Sequence, residues 1–549
     1  MKKHNVVKVV LVTILIFLLL SWILPAAYYS GEYVDQGRVQ MGLFDLFNYP
    51  LTAVAYFGYI ALFIILVGGF YGVLYKIPAY RSLLEGLVKK MKGKETICLS
   101  VMIILIALLV SVCGVHIAFA LFIPFIVSLI LMMGYDKITA LFVTVGSISC
   151  GLIGTTYAYS NLSVLIQSLN LKLDYSIGVR FLILLIGIVL VIFNTVMYTK
   201  NGKVEKASIS KKKIEVEEEE EEEEVVREEV KVSVKTNSSK NNNSSKNNTN
   251  SKNNSKNKSN SSKKSSNNKS SKSRKSVNKA ALKEEDVIIV KDSDNDSLVP
   301  AVSKKQANVL PMAIIFGLLF VLFVLAFIPW GENGFKIKFF SDLTNSTSEF
   351  KLFGFPLFAK VLGTFGAFGE WSITDLFLPM FIVLLLLVII YKVKFDDVIE
   401  GFSEGCKKAL GPCAMVILLY VVLVINTYHP IQMTIYKFVL GLTKGFNIAT
   451  TTIVALLAGL FNVDIAYSFQ GIVPYYMSVV NTVKDYSNIA VIFQSMYGFM
   501  TLFAPTSLVL MATLSYLGVS YKEWLKKSWK LILELFVILL IVFIILALM

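Results

Sequence analysis

ALLVSVCGVHIAF (residues 107–119) and ALLAGLFNVDIAY (residues 455–467) lie in opposite halves of the chain and share one design. Each is an apolar run that closes on a short interruption carrying a single ionisable residue, His116 in the first and Asp464 in the second. A charged side chain at the centre of a membrane helix costs about 2.5–3.5 kcal/mol on insertion scales. Two such residues in the same frame therefore need a reason.

The likeness extends outward. Residues 75–125 can be laid on residues 426–475: both begin as an apolar helix ends, pass through a proline and a short amphipathic stretch, and then enter the apolar run. TTYAYSNLSVL (155–165) corresponds in position to LFAPTSLVL (502–510), and each half closes with an apolar helix, 178–198 and 525–549. Two units of one design are thus joined by one extra helix, 309–329.

Composition sets the environment. The chain has 549 residues, 55% of them hydrophobic, and a mean hydropathy of +0.65, which excludes a soluble globular class and predicts an all-α polytopic membrane protein. A span needs about 20 apolar residues. That length predicts about nine crossings, at 6–29, 51–75, 137–170, 178–198, 309–329, 371–391, 409–428, 486–520 and 525–549. The first reads as a retained helix rather than a cleaved signal. Stretches 96–133 and 449–482 read as re-entrant hairpins with His116 and Asp464 near their tips. Lysine and arginine gather before 6–29, after 51–75, around 392–408 and in YKEWLKKSWK (521–530). This places the N-terminus and the central polar stretch in the cytoplasm of a multi-pass cell (plasma) membrane protein. The first half then enters from the cytoplasm and the second from outside, so the repeat is inverted.

The expected organisation is a first membrane repeat (1–199), a disordered low-complexity linker (200–308), a connecting transmembrane helix (309–330) and a second membrane repeat (331–549). The linker holds EVEEEEEEEEVVREEV (215–230) and a long Ser/Asn/Lys tract, which have almost nothing to bury against the entropy of ordering. Much of the net charge of +15 resides there and in loop lysines, so it says little about the substrate, and no nucleic-acid partner is expected. The five cysteines, Cys98, Cys113, Cys150, Cys406 and Cys413, show no CxxC spacing and imply neither a disulfide nor a metal framework.

Inverted repeats with a site at their junction are the architecture of secondary transporters, whose sites form where helices are interrupted near the bilayer midplane. Four interruptions are visible: the tips CGVH (113–116) and FNVDIAYS (461–468), and the breaks GTTYAYSN (154–161) and TLFAPTS (501–507). Pro505 removes a backbone donor, and Thr506 and Ser507 can satisfy the carbonyls this frees. Candidate contacts to a small polar solute are Thr155, Thr156, Tyr157, Ser160 and Asn161 from the first half, with Asn462, Ser468, Gln494, Thr506 and Ser507 from the second. Hydroxyls and amides orient such a solute without fixing its charge, although the same groups also serve as glue between membrane helices. His116 and Asp464 are candidates for ion or proton coupling, as a titratable pair if the two tips meet. Sodium, held by unwound carbonyls near Thr155 and Thr506, is the rival coupling ion. No resident cofactor or metal is expected. There are no paired catalytic carboxylates, no HExxH and no GxSxG, and the three histidines, His4, His116 and His429, are far apart. An enzyme is therefore not expected. The long linker leaves a transporter-derived sensor or scaffold as the alternative.

IILVGGFYGVLYK (64–76), the lysine-rich segment ending in KGKE (92–95), LMMGYDKIT (131–139) and FQSMYGFMTLFAPTSLVLMATLSYLGVSYKEWLKK (493–527) resemble YfcC-type carriers of the C4-dicarboxylate anaerobic carrier-like family, within the ion transporter superfamily. The resemblance covers most of both membrane halves. It implies a scaffold domain and a transport domain with two re-entrant hairpins, often in a homodimer, moving in an elevator-like way. It also implies substrates among dicarboxylates, amino acids and related organic anions. The family's Gly-Ser-Thr…Asn-Pro pattern is GTTYAYSN here: Thr155 and Thr156 remain, while Ala158, Tyr159 and Ser160 replace the Asn-Pro pair. The usual serine-rich second tip is FNVDIAYS, and CGVH replaces an acidic, threonine-bearing first tip. The scaffold is retained and the ligand-facing chemistry is rewritten.

Overall fold

Long apolar runs become helices here, and several continue through an internal proline or glycine, as α-helices Asp45–Lys76 and Phe395–Tyr428 do. The structure is a computed structural model that describes residues 4–201, 298–302, 307–363, 366–480 and 483–548. Among these residues, eight helices are long and apolar enough to cross a membrane, and the protein is an all-α polytopic membrane protein with one small β-hairpin.

Helix α1 (His4–Ile23) stops before Pro25. The expected crossing 6–29 is therefore shorter, and its tail becomes β1 (Ala26–Tyr29), paired antiparallel with β2 (Tyr33–Gly37). Helix α2 (Asp45–Lys76) hands over to the amphipathic α3 (Pro78–Met91), with Pro78 at the first helical position, where no donor is lost. The first hairpin is α4 (Glu95–Cys113), a tip, a 3₁₀ turn and α5 (Ile123–Met132). Then come α6 (Lys137–Leu141), a π turn, α7 (Ser147–Ile153), α8 (Tyr159–Ser168) and α9 (Ile177–Asn201).

The second half runs through α10 (Val309–Phe327), the short α11 (Phe339–Glu349) and α12 (Leu357–Leu362), α13 (Phe377–Ile390), α14 (Phe395–Tyr428) and α15 (Gln432–Leu440). The second hairpin is α16 (Ile448–Phe461), its tip, α17 (Ile465–Gln470) and α18 (Ile472–Val479). It is followed by α19 (Tyr486–Thr501), α20 (Leu508–Leu517) and α21 (Tyr521–Leu548).

The expected nine crossings differ from the eight long helices for a physical reason. Stretches 137–170 and 486–520 are each split near the middle, so neither is one continuous span. Helix α4, expected as one arm of a hairpin, is long enough by itself. The crossing expected at 409–428 starts at Phe395, because charged residues 396–408 extend the same helix beyond the apolar run.

Two long helices form the tightest seam. Helices α2 and α14 pack antiparallel through Gly68 and Gly72 on one side and Gly401, Gly405 and Ala409 on the other. A Cβ on Gly68 would stand 2.7 Å from the Gly405 carbonyl oxygen, and one on Gly401 would stand 2.8 Å from that of Gly72. The helices touch backbone to backbone, as small residues four apart allow in lipid.

Most of the expected linker, including the acidic run 215–230 and the Ser/Asn/Lys tract, lies outside the described residues. Its end does not conform to the disordered expectation. Leu298, Val299 and Pro300 are buried, and their carbonyls are held by three helices. Leu298 O accepts from Tyr75 Oη of α2 (3.0 Å) and Ser128 Oγ of α5 (2.7 Å), and Pro300 O accepts from the Arg81 guanidinium of α3. An apolar LVP tripeptide with acceptors to offer is enough to dock where its neighbours in the tract have nothing to bury.

Candidate functional site

The two interrupted helices cross at their interruptions. Helix α7 lies antiparallel to α19, and Gly498 lets the chains meet: a Cβ there would run into the backbone of Leu152 and Ile153. Each partner also carries a hairpin arm. Gly151 of α7 lies against the Ala107 carbonyl of α4, where a Cβ would be 2.6 Å away. Gly459 of α16 lies against Met500 of α19, with 3.0 Å to its Cβ. The order α4, α7, α19, α16 thus repeats one contact on either side of the central crossing.

A broken helix at membrane depth must find new donors for the carbonyls it frees. At the first break, Ile153 O accepts from Ser495 Oγ (3.0 Å), Gly154 O from Ser111 Oγ (2.7 Å) and Thr155 O from Gln494 Nε2 (3.2 Å). At the second, Thr501 O accepts from Ser507 Oγ (2.7 Å), Leu502 O from Trp524 Nε1 (2.9 Å) and Phe503 O from the Tyr521 hydroxyl. Three consecutive carbonyls are satisfied by side chains at each break.

This accounting sorts the candidates. Thr155 turns its hydroxyl back onto the Leu152 carbonyl (2.8 Å). Thr156 meets the hydroxyl of Ser111 at 3.0 Å, while its N–H donates to the Ser111 carbonyl (2.9 Å), fastening α4 to the break. Ser507 also caps α20, and Gln494 bridges the two halves. Asn462 and Ser468 bond the backbone of their own hairpin, at Ala458 and Asp464. These groups are committed to holding the breaks and tips. Two others are not: Asn161 Nδ2 and Thr506 Oγ1 are buried and have no partner. Tyr157 stacks on Phe335 at 4.7 Å, and Ser160 sits beside the first tip.

That tip is bent by Gly114 at φ 71°, and a Cβ there would come within 2.6 Å of Ser160 Oγ and 3.1 Å of Asn161 Nδ2. His116 Nδ1 donates to the Gly114 carbonyl at 3.1 Å, which fixes the tautomer and leaves Nε2 free of its proton when the ring is neutral. Asp464 caps α17, accepting from Ala466 N at 2.8 Å. The two ionisable groups lie within electrostatic reach of each other, but the described ion pairs do not join them. The direct pair envisaged from the sequence is not formed, because each group spends its bond on the backbone of its own tip. Asp464 also lies within electrostatic reach of Tyr59, Tyr420 and Tyr497.

From His116 a narrow crevice runs between the α2/α14 pair and the face made by the first hairpin and α20. Three adjoining cavities of about 30, 60 and 30 Å³ mark it, lined in turn by His116 and Leu508, by Ala120 and Thr513, and by Tyr516 and Lys408.

A buried charge was among the features missed from the sequence. Arg180 sits in the first turn of α9 and is wholly buried. Gly154 packs on the backbone of Leu184, one turn further along the same helix, so the backbone of Arg180 lies about one helical turn from the first break. An arginine inside the apolar stretch 178–198 was the available signal.

The family profile described as "C4-dicarboxylate anaerobic carrier" matches residues 4–243 and 262–548. The match takes in both halves and much of the polar stretch between them. An uncharacterised protein of Haemophilus influenzae is 33% identical over 153 residues, covering 27% of this chain and 29% of that protein's length. No solved structure gives a significant match. With a family match over nearly the whole chain, and two interrupted helices crossing beneath two hairpin tips, the protein belongs to the C4-dicarboxylate anaerobic carrier family.

Proposed function

We propose that the protein is a secondary active carrier of a small organic anion, a dicarboxylate or an amino acid, working by alternating access and coupled to protons through His116 and Asp464. The observation that carries this reading is the division of labour at the crossing. Side chains satisfy three carbonyls at each break, while Asn161 Nδ2 and Thr506 Oγ1 remain buried and unpartnered. Leaving a buried polar atom unmade costs about 1–3 kcal/mol, a cost that a bound polar solute would offset.

An elevator-like movement is part of the proposal. The apolar crevice beside the α2/α14 seam offers a surface on which the hairpins and interrupted helices could shift as a unit. The proton is favoured over sodium because Gly154 O and Thr155 O already accept hydrogen bonds, whereas His116 Nε2 and the Asp464 carboxylate have capacity to exchange a proton. The lysine and arginine distribution supports a cell-membrane protein with its N-terminus and linker in the cytoplasm.

Purified protein in proteoliposomes, given labelled succinate or aspartate under an imposed pH or sodium gradient, tests the reading. Wild type is expected to accumulate a carboxylate under the pH gradient. Asp464→Asn is expected to lose accumulation while retaining exchange of labelled for unlabelled solute. Undiminished accumulation by Asp464→Asn would remove the coupling role. Failure of wild type to move any solute would favour a sensor or scaffold.

A further inference from the structure

We infer that Arg180 receives a carboxylate of the transported solute, an assignment that rests on the carrier reading and gives that carboxylate a named binding residue. The guanidinium is wholly buried, and Asp174 and Tyr175, which lie within electrostatic reach, compensate its charge only in part. Nη2 donates to the Leu173 carbonyl and the charge lies over the Tyr175 ring at 4.1 Å. Nε and Nη1 have no partner, and no described ion pair involves Arg180. Asp174, the nearest acid in the chain, is exposed to solvent.

A charge in this position is expensive. Removing a cation from water costs several kcal/mol, and a carbonyl and a ring face return only part of it. Arg180 stands in the first turn of the candidate span Ile177–Lys200 and is enclosed by protein, where a structural arginine ordinarily pairs with an acid. Arg180 instead keeps unspent donors in the planar arrangement that fits the two oxygens of a carboxylate.

Its place in the molecule makes this useful for transport. The Tyr175 hydroxyl donates to Gln494 Oε1 at 2.6 Å, and the amide of Gln494 donates to Thr155 O at 3.2 Å. An anion that draws the guanidinium away from Tyr175 therefore acts on a relay that crosses from one repeat to the other and ends on the first break. Tyr157, on that break, lies within electrostatic reach of Arg180 and is covered by Phe335.

The experiment compares wild type, Arg180→Gln and Arg180→Lys as full-length purified protein. Thermal unfolding is followed with succinate, aspartate or acetate, and with succinamide as the uncharged control. Wild type is expected to gain stability from at least one carboxylate and none from succinamide. Arg180→Gln is expected to have a ligand-free midpoint equal to or above that of wild type, since it loses an unpaired buried charge. Its apparent carboxylate affinity should weaken on the order of tenfold or more. Arg180→Lys should keep a weaker response, because a lysine supplies charge without the fork.

A carboxylate response in Arg180→Gln equal to that of wild type would overturn the assignment, as would a wild type indifferent to every carboxylate. If Arg180→Gln does not fold, Arg180→Lys decides, and unchanged affinity there would also overturn it. Failure of the carrier reading looks different: wild type would bind the carboxylate, Arg180→Gln would not, and neither would move it across a liposome membrane.

Discussion

The α2/α14 seam and the α7/α19 crossing are built from corresponding parts of the two halves, and both rely on glycine to bring antiparallel helices together. They differ in what surrounds the contact. The seam is made of Gly68, Gly72, Gly401, Gly405 and Ala409 in two helices that each run unbroken past the contact. The crossing lies where both helices come apart, and hydroxyls, an amide and an indole hold it. The first arrangement resists movement. The second keeps polar groups at membrane depth, some of them unpartnered, and suits binding.

The largest effect should come from attacking the seam. Gly405→Leu places a side chain where the Gly68 carbonyl and the Gly72 Cα already lie, so the helices must part. The expected loss exceeds the ~1–3 kcal/mol of ordinary overpacking, and monodisperse protein on size exclusion should disappear. A well-folded Gly405→Leu variant would contradict the backbone contact.

Gly498→Val should be milder for folding and severe for transport. It pushes on Ile153 at the first break, and the expected result is a midpoint lowered by roughly 1–3 kcal/mol in equivalent stability, with uptake abolished. If uptake survives while stability falls, the crossing is only packing.

The smallest effect is expected at the Ser111–Thr156 contact. Ser111→Ala and Thr156→Val should each cost about 1 kcal/mol, and the double variant less than their sum, because both remove one shared interaction. Additive losses would mean that the two hydroxyls act independently.

Much of this was legible in the sequence. GTTYAYSN and TLFAPTS announced interruptions because polar residues and Pro505 fall inside apolar runs, and the repeated GVHIAF/NVDIAY frame located both tips. What a sequence cannot display is which polar groups are already committed. Thr155, Ser468 and Ser507 each donate their hydroxyl hydrogen to a backbone carbonyl, a use that their sequence positions do not display. Ser111, Ser495 and Tyr175 went unnoticed because they lie outside the breaks that they serve. Arg180 was overlooked for the opposite reason: a single charge did not lower the hydropathy of its run enough to stop it reading as a crossing. The β-hairpin escaped because nine residues of mixed polarity carry little strand signal away from the turn ahead of α15, where Pro430 O accepts from Ala27 N of β1.

The buried tripeptide Leu298–Pro300 has a mechanical meaning. Among the described residues, Leu298–Pro300 is the docked segment that precedes α10, which opens at Val309. A pull on that stretch is therefore borne by Tyr75, Ser128 and Arg81, on three separate helices, before it reaches a membrane-crossing segment. The tripeptide is clamped to three helices at once, in the manner of the strain relief on a cable.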